Sequence, residues 1–439
     1  MDNMNPMNRE MKKQQLRRQI VSDHGRGGSY PGPFDEEDEE GEEEREGQRQ
    51  GTRLKRWGIV ALVVLVLTAA VSGGTFYWKR YHQYTEYSIS WEQDLFAEGE
   101  GAAQTESTFV GYLDFGENII RYTKDGASYI DARGKTVWVQ TYEMRSPIAA
   151  VNGDYAVVAD QQGTAIYIFD KNGCQGVATA LLPILKVSVS GKGVAAAILE
   201  DPRSNYIAWF RKDGAALDIT VKVKLSGDGY PIDISLSPDG TQILCSYMYM
   251  NNGMLDCRVV FYNFSEVGKN TGPTRIVGGF DEPFAGGIVP RVHFLDDVYS
   301  FACSDKGLTF FSSKNLTSPE ILRQVMVESD ILSLFYSSGY VGMILANAEG
   351  EYPYRMEIYR PTGDLVLKKE FDFRYRHVAM SGERVLLWDE SSFKAYNLFG
   401  TEVFTASFED GVDKVTLGRH PNSFIVTGPQ KMREITLQR

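Results

Sequence analysis

The sequence is poor in cysteine, histidine and basic residues. Its 439 residues include four Cys and five His, and 46 Lys and Arg against 58 Asp and Glu give a formal net charge of −12. So few cysteines argue against a disulfide-stapled scaffold. The negative charge argues against a nucleic acid partner, because binding to phosphates requires an excess of positive charge.

Catalytic and cofactor signatures are also missing. The sequence has no EF-hand-like loop, no G-x-S-x-G elbow and no phosphate-binding loop. The histidines lack the spacing of a zinc or iron site, although His293 and His377 fall on predicted inner strands. We therefore expect no catalytic residues, no bound metal and no cofactor, and we expect that the protein is not an enzyme.

Long apolar runs are absent except for one. Residues 57–78 contain no charged side chain and would span roughly 33 Å as a helix. Trp57 and Trp78 stand at its two ends, where indole rings favour the membrane interfaces. The run predicts one transmembrane helix. A cleaved signal peptide is the alternative, because the densest apolar part, 59–71, is short and small residues follow it.

Basic residues flank this segment unequally. Arg53, Lys55 and Arg56 are the nearest of the cations before it, and only Lys79 and Arg80 follow it closely. The positive-inside bias then places the N-terminus in the cytoplasm and residues 79–439 outside. The sequence thus predicts a single-pass protein of the cell membrane, with the lipid bilayer as one partner.

Residues 1–56 are almost devoid of apolar side chains, and the stretch 35–46 is nearly all acidic. Self-repulsion and the lack of a core predict a disordered cytoplasmic tail. The tail is either a solvated spacer or a docking segment for a cytosolic partner, in which the stretch YPGPF (30–34) would be the ligand.

From residue 85 onward, short runs rich in Val, Ile, Tyr, Phe and Thr alternate with Gly, Asn, Asp or Pro every eight to twelve residues, without a convincing amphipathic helix. Similar strand–glycine turn–strand units recur, including YIDARGKTVW (129–138), YIFDKNG (167–173) and IYRPTGDLVL (358–367). The pattern predicts an all-β repeat array.

The turns fall into three series, from which the number of repeats follows. The first series runs from Gly116 to Asn422 with a mean spacing of about 44 residues, in the range of propeller blades. The first two series have one member for each of eight blades, and the third lacks its last. Residues 87–95 can supply the missing outer strand to the blade of 413–437. We predict an eight-bladed β-propeller with three-plus-one closure, or seven blades if the turn at Arg203 or Asp297 is misassigned.

The outer hairpin IDARGKTVW (130–138), which lies within the stretch DGASYIDARGKTVWVQTYEMRSP (125–147), resembles the quinoprotein-like (PQQ-type) propeller repeat. With YIFDKNG and LSPDGT (236–241), residues 57–439 are similar to an uncharacterised family of single-pass membrane proteins of Gram-positive bacteria that carries a domain of unknown function. The resemblance implies a bacterial cell membrane and an extracytoplasmic, WD40-like propeller. Quinone-dependent dehydrogenases of this repeat type use adjacent cysteines, which this chain lacks.

Three loops carry residue types that are enriched at binding hot spots. The candidate binding residues are Phe280, Asp281, Tyr352, Tyr354, Arg374 and Tyr375. We expect a non-catalytic scaffold or receptor whose partner is a cell-envelope protein or a glycan. In the alternatives, these aromatics only cap the strand stacks, the protein is a quinoprotein-like or glycan-active enzyme with a site in the central channel, or it is a sensor that signals through its tail.

Cys245 and Cys257 flank the turn Asn251-Asn252-Gly253 at similar distances. They could form a cross-strand disulfide outside the membrane, or they could be two buried reduced thiols.

Overall fold

The computed structural model describes residues 57, 61–78, 80–95, 109–420 and 422–438. The chain divides into two compact units, Met1–Phe76 and Tyr77–Arg439. The predicted tail 1–56, with its acidic run 35–46 and the cations Arg53, Lys55 and Arg56, lies outside the described residues, as does Lys79.

Helix α1 (Ala61–Trp78) contains the apolar run. By length and composition it is the one helix of the described residues that could cross a membrane, and none of it is buried within the protein. Trp57 and Trp78, which the sequence places at the membrane interfaces, are exposed.

The second unit consists of eight four-stranded antiparallel sheets, the blades of a propeller. Blades 1 to 4 contain β2 (Gly111–Phe115), β3 (Asn118–Tyr122), β4 (Gly126–Ile130) and β5 (Thr136–Thr141); β6 (Pro147–Asn152), β7 (Tyr155–Asp160), β8 (Ala165–Asp170) and β9 (Gly173–Thr179); β10 (Ile184–Val189), β11 (Ala195–Leu199), β12 (Ser204–Phe210) and β13 (Ala216–Lys224); and β14 (Tyr230–Leu236), β15 (Gln242–Asn251), β16 (Met254–Asn263) and β17 (Ile276–Phe280).

Blades 5 to 7 contain β18 (Arg291–Phe294), β19 (Tyr299–Ser304), β20 (Gly307–Ser312) and β21 (Glu320–Met326); β22 (Ile331–Ser337), β23 (Tyr340–Ala346), β24 (Tyr354–Tyr359) and β25 (Leu365–Phe371); and β26 (His377–Ser381), β27 (Arg384–Trp388), β28 (Ser392–Asn397) and β29 (Glu402–Ser407). Blade 8 contains β30 (Lys414–Leu417), β31 (Ser423–Thr427), β32 (Lys431–Gln438) and β1 (Glu86–Asp94). The prediction of an all-β, eight-bladed propeller is confirmed, and the seven-bladed alternative is wrong.

Strand β1 closes the ring as predicted. It pairs with β32 in an antiparallel register from Glu86↔Gln438 to Asp94↔Lys431. Trp91 adds a hydrogen bond from its Nε1 to Glu434 Oε2 (2.8 Å). Because the outer strand comes from the start of the propeller and the other three from its end, closure joins both ends of the domain in one blade.

The core consists of layers between neighbouring blades. In one layer, Ile198 and Ile207 of blade 3 pack with Ile243 and Tyr262 of blade 4. Fully burying an aliphatic or aromatic side chain of this size stabilises the fold by about 1.5 to 3 kcal/mol. Both faces of the middle strands of the blades are therefore apolar, which is why these strands read as continuous hydrophobic runs.

Two short helices interrupt the predicted all-strand pattern. Helix α2 (Glu266–Thr271) occupies the third turn of blade 4 in place of the hairpin that the repeat pattern predicts, and a 3₁₀ turn covers Glu282–Phe284. Ser265 Oγ accepts a hydrogen bond from Val267 N (3.2 Å) and so caps α2. The serine cap and the acidic first turn are the local signal for this helix.

The strand order gives the propeller two faces. The turns between the first and second strands and between the third and fourth strands of every blade lie on one face, and the remaining connections lie on the other. The chain enters the ring on the face that carries the turns between the first and second strands. There, Thr401 Oγ1 donates a hydrogen bond to the carbonyl O of Arg80 (2.5 Å), and Tyr84 N donates to Val403 O (2.9 Å). We call this the entry face and the opposite one the far face.

Candidate functional site

All six candidate binding residues lie on the far face. Phe280 and Asp281 end β17 and begin the connection to blade 5. Tyr352 and Tyr354 lie at the turn before β24, and Arg374 and Tyr375 lie in the connection from blade 6 to blade 7. The structure thus brings them to one face, but as two groups on blades that are not adjacent.

In the first group, Phe280 is half-buried and packs against the core. Its ring packs against Phe261 (5.9 Å between centroids) and Phe311 (5.1 Å), between blades 4 and 5. Asp281 is exposed and forms an ion pair with Arg258 (3.2 Å from Oδ1 to Nε). The guanidinium of Arg258 also lies 4.1 Å from the centre of the Tyr249 ring. This stack braces the base of the hairpin formed by β15 and β16.

In the second group, Tyr354 and Tyr375 pack against each other (5.5 Å) and against Phe371. The hydroxyl of Tyr375 hydrogen-bonds with Ser333 Oγ (2.9 Å). These two tyrosines stabilise the blade, whereas Tyr352 and Arg374 are exposed. The charge of Glu351 raises the pKa of Tyr352 above its usual value.

The sequence predicts the turn Asn251-Asn252-Gly253, but not that its hairpin protrudes from the blade. Strands β15 and β16 are ten residues each, whereas β14 pairs with β15 only as far as Met248. Beyond that point the hairpin continues to a two-residue turn in which Asn252 and Gly253 have φ of 50° and 82°. Its tip exposes Met250 (66%) and Met254 (65%). The length of the apolar runs on either side of this turn is the signal that could have revealed the protrusion.

Further exposed apolar side chains lie on the same face, among them Leu181, Ile288, Met326 and Leu332. Leu181 is 96% exposed, although leucine is usually buried. Scattered surface apolar residues are ordinary, but several on one face of a ring favour a protein-binding surface. Methionine in particular adapts its shape to different partners.

The far face is also acidic. Its connections contain the acidic residues Asp125, Glu143, Glu200, Asp201, Asp228, Asp281, Glu282, Asp305, Glu328, Asp330, Glu349, Glu351, Asp372, Asp389, Glu390, Glu409, Asp410 and Asp413. The basic residues of the same described connections are Lys124, Arg145, Arg203, Lys306, Arg374 and Arg376. Acidic residues therefore dominate this face.

The outer turns of the entry face have the opposite charge. In blades 1 to 6, every turn between the third and fourth strands presents an exposed cation: Arg133, Lys135, Lys171, Arg211, Lys212, Lys269, Lys314 and Arg360. We call these residues the basic rim. The ring is thus electrically polarised, with a basic rim on one side and an acidic face on the other.

A cavity of about 830 Å³ lies in the central channel, with Lys186, Asp233, Arg291, His293 and Tyr336 among its lining residues. Asp233 Oδ2 accepts a hydrogen bond from Val292 N (3.0 Å) and lies 3.7 Å from Arg291 Nη1. Burial raises the pKa of Asp233, although the Arg291 charge acts to lower it. Burial, together with the Arg291 charge, lowers the pKa of His293 to about 3, so this histidine is neutral.

A second cavity of about 700 Å³ opens on the far face among blades 7, 8 and 1. Tyr112 OH donates a hydrogen bond to Asp413 Oδ2 (3.3 Å), and Trp388 Nε1 donates to Asp413 O (3.1 Å). Burial, followed by the charge of Lys414, lowers the pKa of His377. His293 and His377 both lie on inner strands, as predicted, but they line different cavities.

Within the described part of the chain, no group of three or more His, Cys, Asp or Glu residues is arranged to hold a metal ion.

The cysteines correct the disulfide alternative. In the register of β15 and β16, Cys245 lies opposite Val260 and Cys257 lies opposite Met248. Since the two positions are three residues apart along the ladder, the side chains point to opposite faces of the sheet. Cys245 packs toward blade 3 and Cys257 toward blade 5, and both are free thiols.

The whole propeller matches one family model. The model of the Family of unknown function (DUF5711) matches residues 80–437, which is most of the chain. The chain belongs to this family. The DUF5711 match covers β1 as well as β32, so it spans the whole closed ring of this chain. No curated protein sequence matches the chain.

Several solved propellers are similar to this DUF5711 chain in their general path. BamB from Moraxella catarrhalis has a TM-score of 0.47 and 13% identity, over 81% of this chain and 99% of that one. Sqt1 from Chaetomium thermophilum, bound to the N-terminus of ribosomal protein L10, has a TM-score of 0.47 and 12% identity, over 75% and 92%. The Pan2 WD40 domain from Neurospora crassa has a TM-score of 0.41 and 10% identity, over 82% and 98%.

Proposed function

We propose that this protein is a membrane-anchored, extracytoplasmic scaffold or receptor that binds a protein partner of the cell envelope through its far face, without catalysis. One observation carries the proposal. The far face combines exposed apolar side chains, with Met250 and Met254 on a braced hairpin, and a surround of acidic residues. Apolar anchors within a charged surround are typical of protein interfaces.

The charge of the far face defines the partner further. An acidic surface attracts a basic one during diffusional encounter, and complementary charges favour one partner over others. We therefore expect a partner that presents Lys or Arg around apolar groups. A glycan is the weaker candidate, because Tyr354 and Tyr375, the aromatics that could stack on sugars, are used in packing.

The membrane anchor is the other part of the proposal. It is supported by the length and apolar composition of α1, by the tryptophans at its ends and by the excess of cations before it. The same charge bias supports a cytoplasmic N-terminus. The resemblance to single-pass proteins of Gram-positive bacteria supports a bacterial cell membrane.

Photocrosslinking from chosen positions tests the binding face. We would place a benzophenone amino acid at Leu181 and Tyr352 on the far face, and at Val139, which is 59% exposed on the outer strand of blade 1, as the matched control. In cells, discrete adducts of higher mass are expected from the far-face positions and not from Val139. Equal adducts from all three positions, or none at Leu181 and Tyr352, would refute the proposed face.

Catalysis in the cavity of the central channel is the second candidate function. A buried carboxylate and a neutral histidine, Asp233 and His293, line the same cavity. Assays of the purified protein against quinone-linked alcohol oxidation and envelope glycan cleavage would decide. Turnover that is lost in both Asp233→Asn and His293→Gln, but kept in the exposed control Lys192→Gln, would replace the scaffold by a channel enzyme.

A further inference from the structure

The basic rim does not follow from the chemistry of its turns. In these hairpins the required residues are the glycine and the acidic or amide residue that accepts backbone hydrogen bonds. Asp131 Oδ1, for example, accepts hydrogen bonds from Arg133 N (2.8 Å) and Lys135 N (2.9 Å). The side chains of Arg133 and Lys135 take no part in this turn and point to solvent. Turn formation therefore explains the acids of the rim, but it leaves the cations unexplained.

The acidic residues of two other outer turns also accept backbone hydrogen bonds. Asp170 Oδ1 accepts from Asn172 N (2.6 Å), and Asp213 Oδ1 accepts from Ala215 N (3.0 Å) while the carboxylate pairs with Arg211. Lys171 and Lys212, the neighbouring cations, remain exposed. Cations recur in this way in six successive blades, so they surround most of the ring.

The rim lies on the side where the chain enters the propeller. In blade 7 the outer turn contains Phe399, which is exposed, and the guanidinium of Arg80 lies 5.9 Å from its ring. Tyr81, also exposed, lies 5.3 Å from the same guanidinium. A cation close to two exposed aromatic rings suits the interface between lipid headgroups and water.

We propose that the entry face rests on the anionic surface of the membrane, with the basic rim in contact with lipid phosphates. This inference rests on the proposed membrane anchor. Each Lys or Arg near an anionic leaflet adds attraction, and the contributions of the rim combine. The acidic far face is repelled by the same surface, so charge alone turns the binding face toward the exterior. The inner turns of the entry face carry more acids (Glu117, Asp154, Asp239, Asp296, Asp297 and Glu383) than cations (Lys192 and Arg419), so the contact is a ring around a hydrated channel mouth.

Amine footprinting of the full-length protein tests this contact. The protein is inserted into neutral phosphatidylcholine nanodiscs or into nanodiscs with one part in three phosphatidylglycerol, and mass spectrometry follows the acetylation rate of each lysine. Lys135, Lys171, Lys212 and Lys314 should react more slowly on the anionic discs, by on the order of fivefold. Lys124, which is exposed on the far face, should change less than about twofold.

Paired variants separate the rim from unspecific charge effects. Arg133→Gln with Arg360→Gln should reduce the shielding of the remaining rim lysines by about half, and Arg145→Gln with Arg203→Gln on the far face should leave it unchanged. Equal rates on both kinds of disc, or equal slowing of Lys124, would overturn the proposal. So would equal slowing when soluble polyphosphate is added to neutral discs, since the rim would then bind a soluble polyanion. Failure to co-elute with neutral discs would instead refute the anchor.

Discussion

Glycine in the outer turns satisfies two requirements at once. Gly214 has a φ of +85°, and a Cβ at this position would lie 2.4 Å from the carbonyl O of Val177 in the outer strand of the preceding blade. In the corresponding turn of blade 6, a Cβ at Gly363 would lie 2.7 Å from Arg323 Cβ, in the outer strand of blade 5. In blades 3 and 6, the glycine of the outer hairpin therefore marks the contact with the preceding blade as well as a turn.

Substitution of Gly214 should accordingly cost more than substitution of a turn glycine with open space around it. We expect Gly214→Ala to destabilise the propeller by about 2 to 4 kcal/mol, because backbone strain and steric overlap add. Gly116→Ala is the matched control, since Gly116 has a φ of +63° but nothing within 4 Å of its Cβ. It should cost about 1 kcal/mol. Equal thermal midpoints for the two variants would contradict the inter-blade argument.

His293 should make stability depend on pH. Its pKa is lowered to about 3 in the folded protein, so between about pH 6.5 and pH 3 the unfolded chain binds a proton that the folded protein does not. Acidification through this window therefore destabilises the fold, by at most about 1.4 kcal/mol per pH unit from this group. The raised pKa of Asp233 acts in the opposite direction, and it acts in the unmodified protein as well as in a variant that lacks His293. His293→Gln should flatten the decline of the thermal midpoint from pH 7 to pH 4, and an unchanged decline would refute it.

At the scale of single residues, the candidate site could be predicted only in part. Residue type identified Tyr352 and Arg374 as exposed, but the same reasoning selected Phe280 and Tyr354, which are packed between strands. Aromatic residues serve cores and interfaces equally, and only the packing of the neighbouring blade distinguishes the two roles. That packing involves residues far apart in sequence, so local patterns cannot reveal it.

At the scale of elements, prediction succeeded because turn chemistry is local. Gly116 and Gly382 lie in first turns where the series placed them, and Arg203 lies in the second turn of blade 3. The exceptions are elements whose lengths differ from the repeat. The helix α2 replaces a hairpin, and the hairpin of β15 and β16 runs past the strands that flank it. A repeat predicts what the blades share, and the candidate site lies where one blade departs from the repeat.

The closing strand offers a direct test at this scale. Ser90 Oγ and Thr436 Oγ1 lie 2.6 Å apart across β1 and β32, so cysteines at both positions are close enough for a cross-strand disulfide. We expect Ser90→Cys with Thr436→Cys to stabilise the oxidised protein by about 2 to 4 kcal/mol, because the bond closes almost the whole ring.

The measurement is the thermal midpoint with and without reductant, after mass spectrometry has verified the bond. Ser90→Cys alone is the control and should show no dependence on reductant. A verified bond that leaves the midpoint unchanged would mean that β1 separates from β32 without unfolding the ring.

At the scale of the whole molecule, charge is distributed by face rather than by blade. Because consecutive blades repeat the same strand order, a residue type that recurs at one turn of each blade becomes a ring on one side of the propeller. Cations recur at the outer turns of the entry face, and acids recur on the far face. A net charge of −12 for the chain therefore hides a basic rim on one side and an acidic far face on the other, and only the fold separates them.

The orientation of this polarised molecule in the membrane can be tested by labelling. The four native cysteines are buried or half-buried, so an impermeant maleimide should label the unmodified protein weakly in intact cells. Leu181→Cys, on the far face, should be labelled in intact cells, because residues 79–439 are proposed to be outside. Asn3→Cys should be labelled only after permeabilisation. Replacing Arg53, Lys55 and Arg56 with Gln weakens the positive-inside bias and should make a fraction of Leu181→Cys inaccessible. Labelling of Asn3→Cys but not Leu181→Cys in intact cells would invert the topology and remove the far face from the exterior.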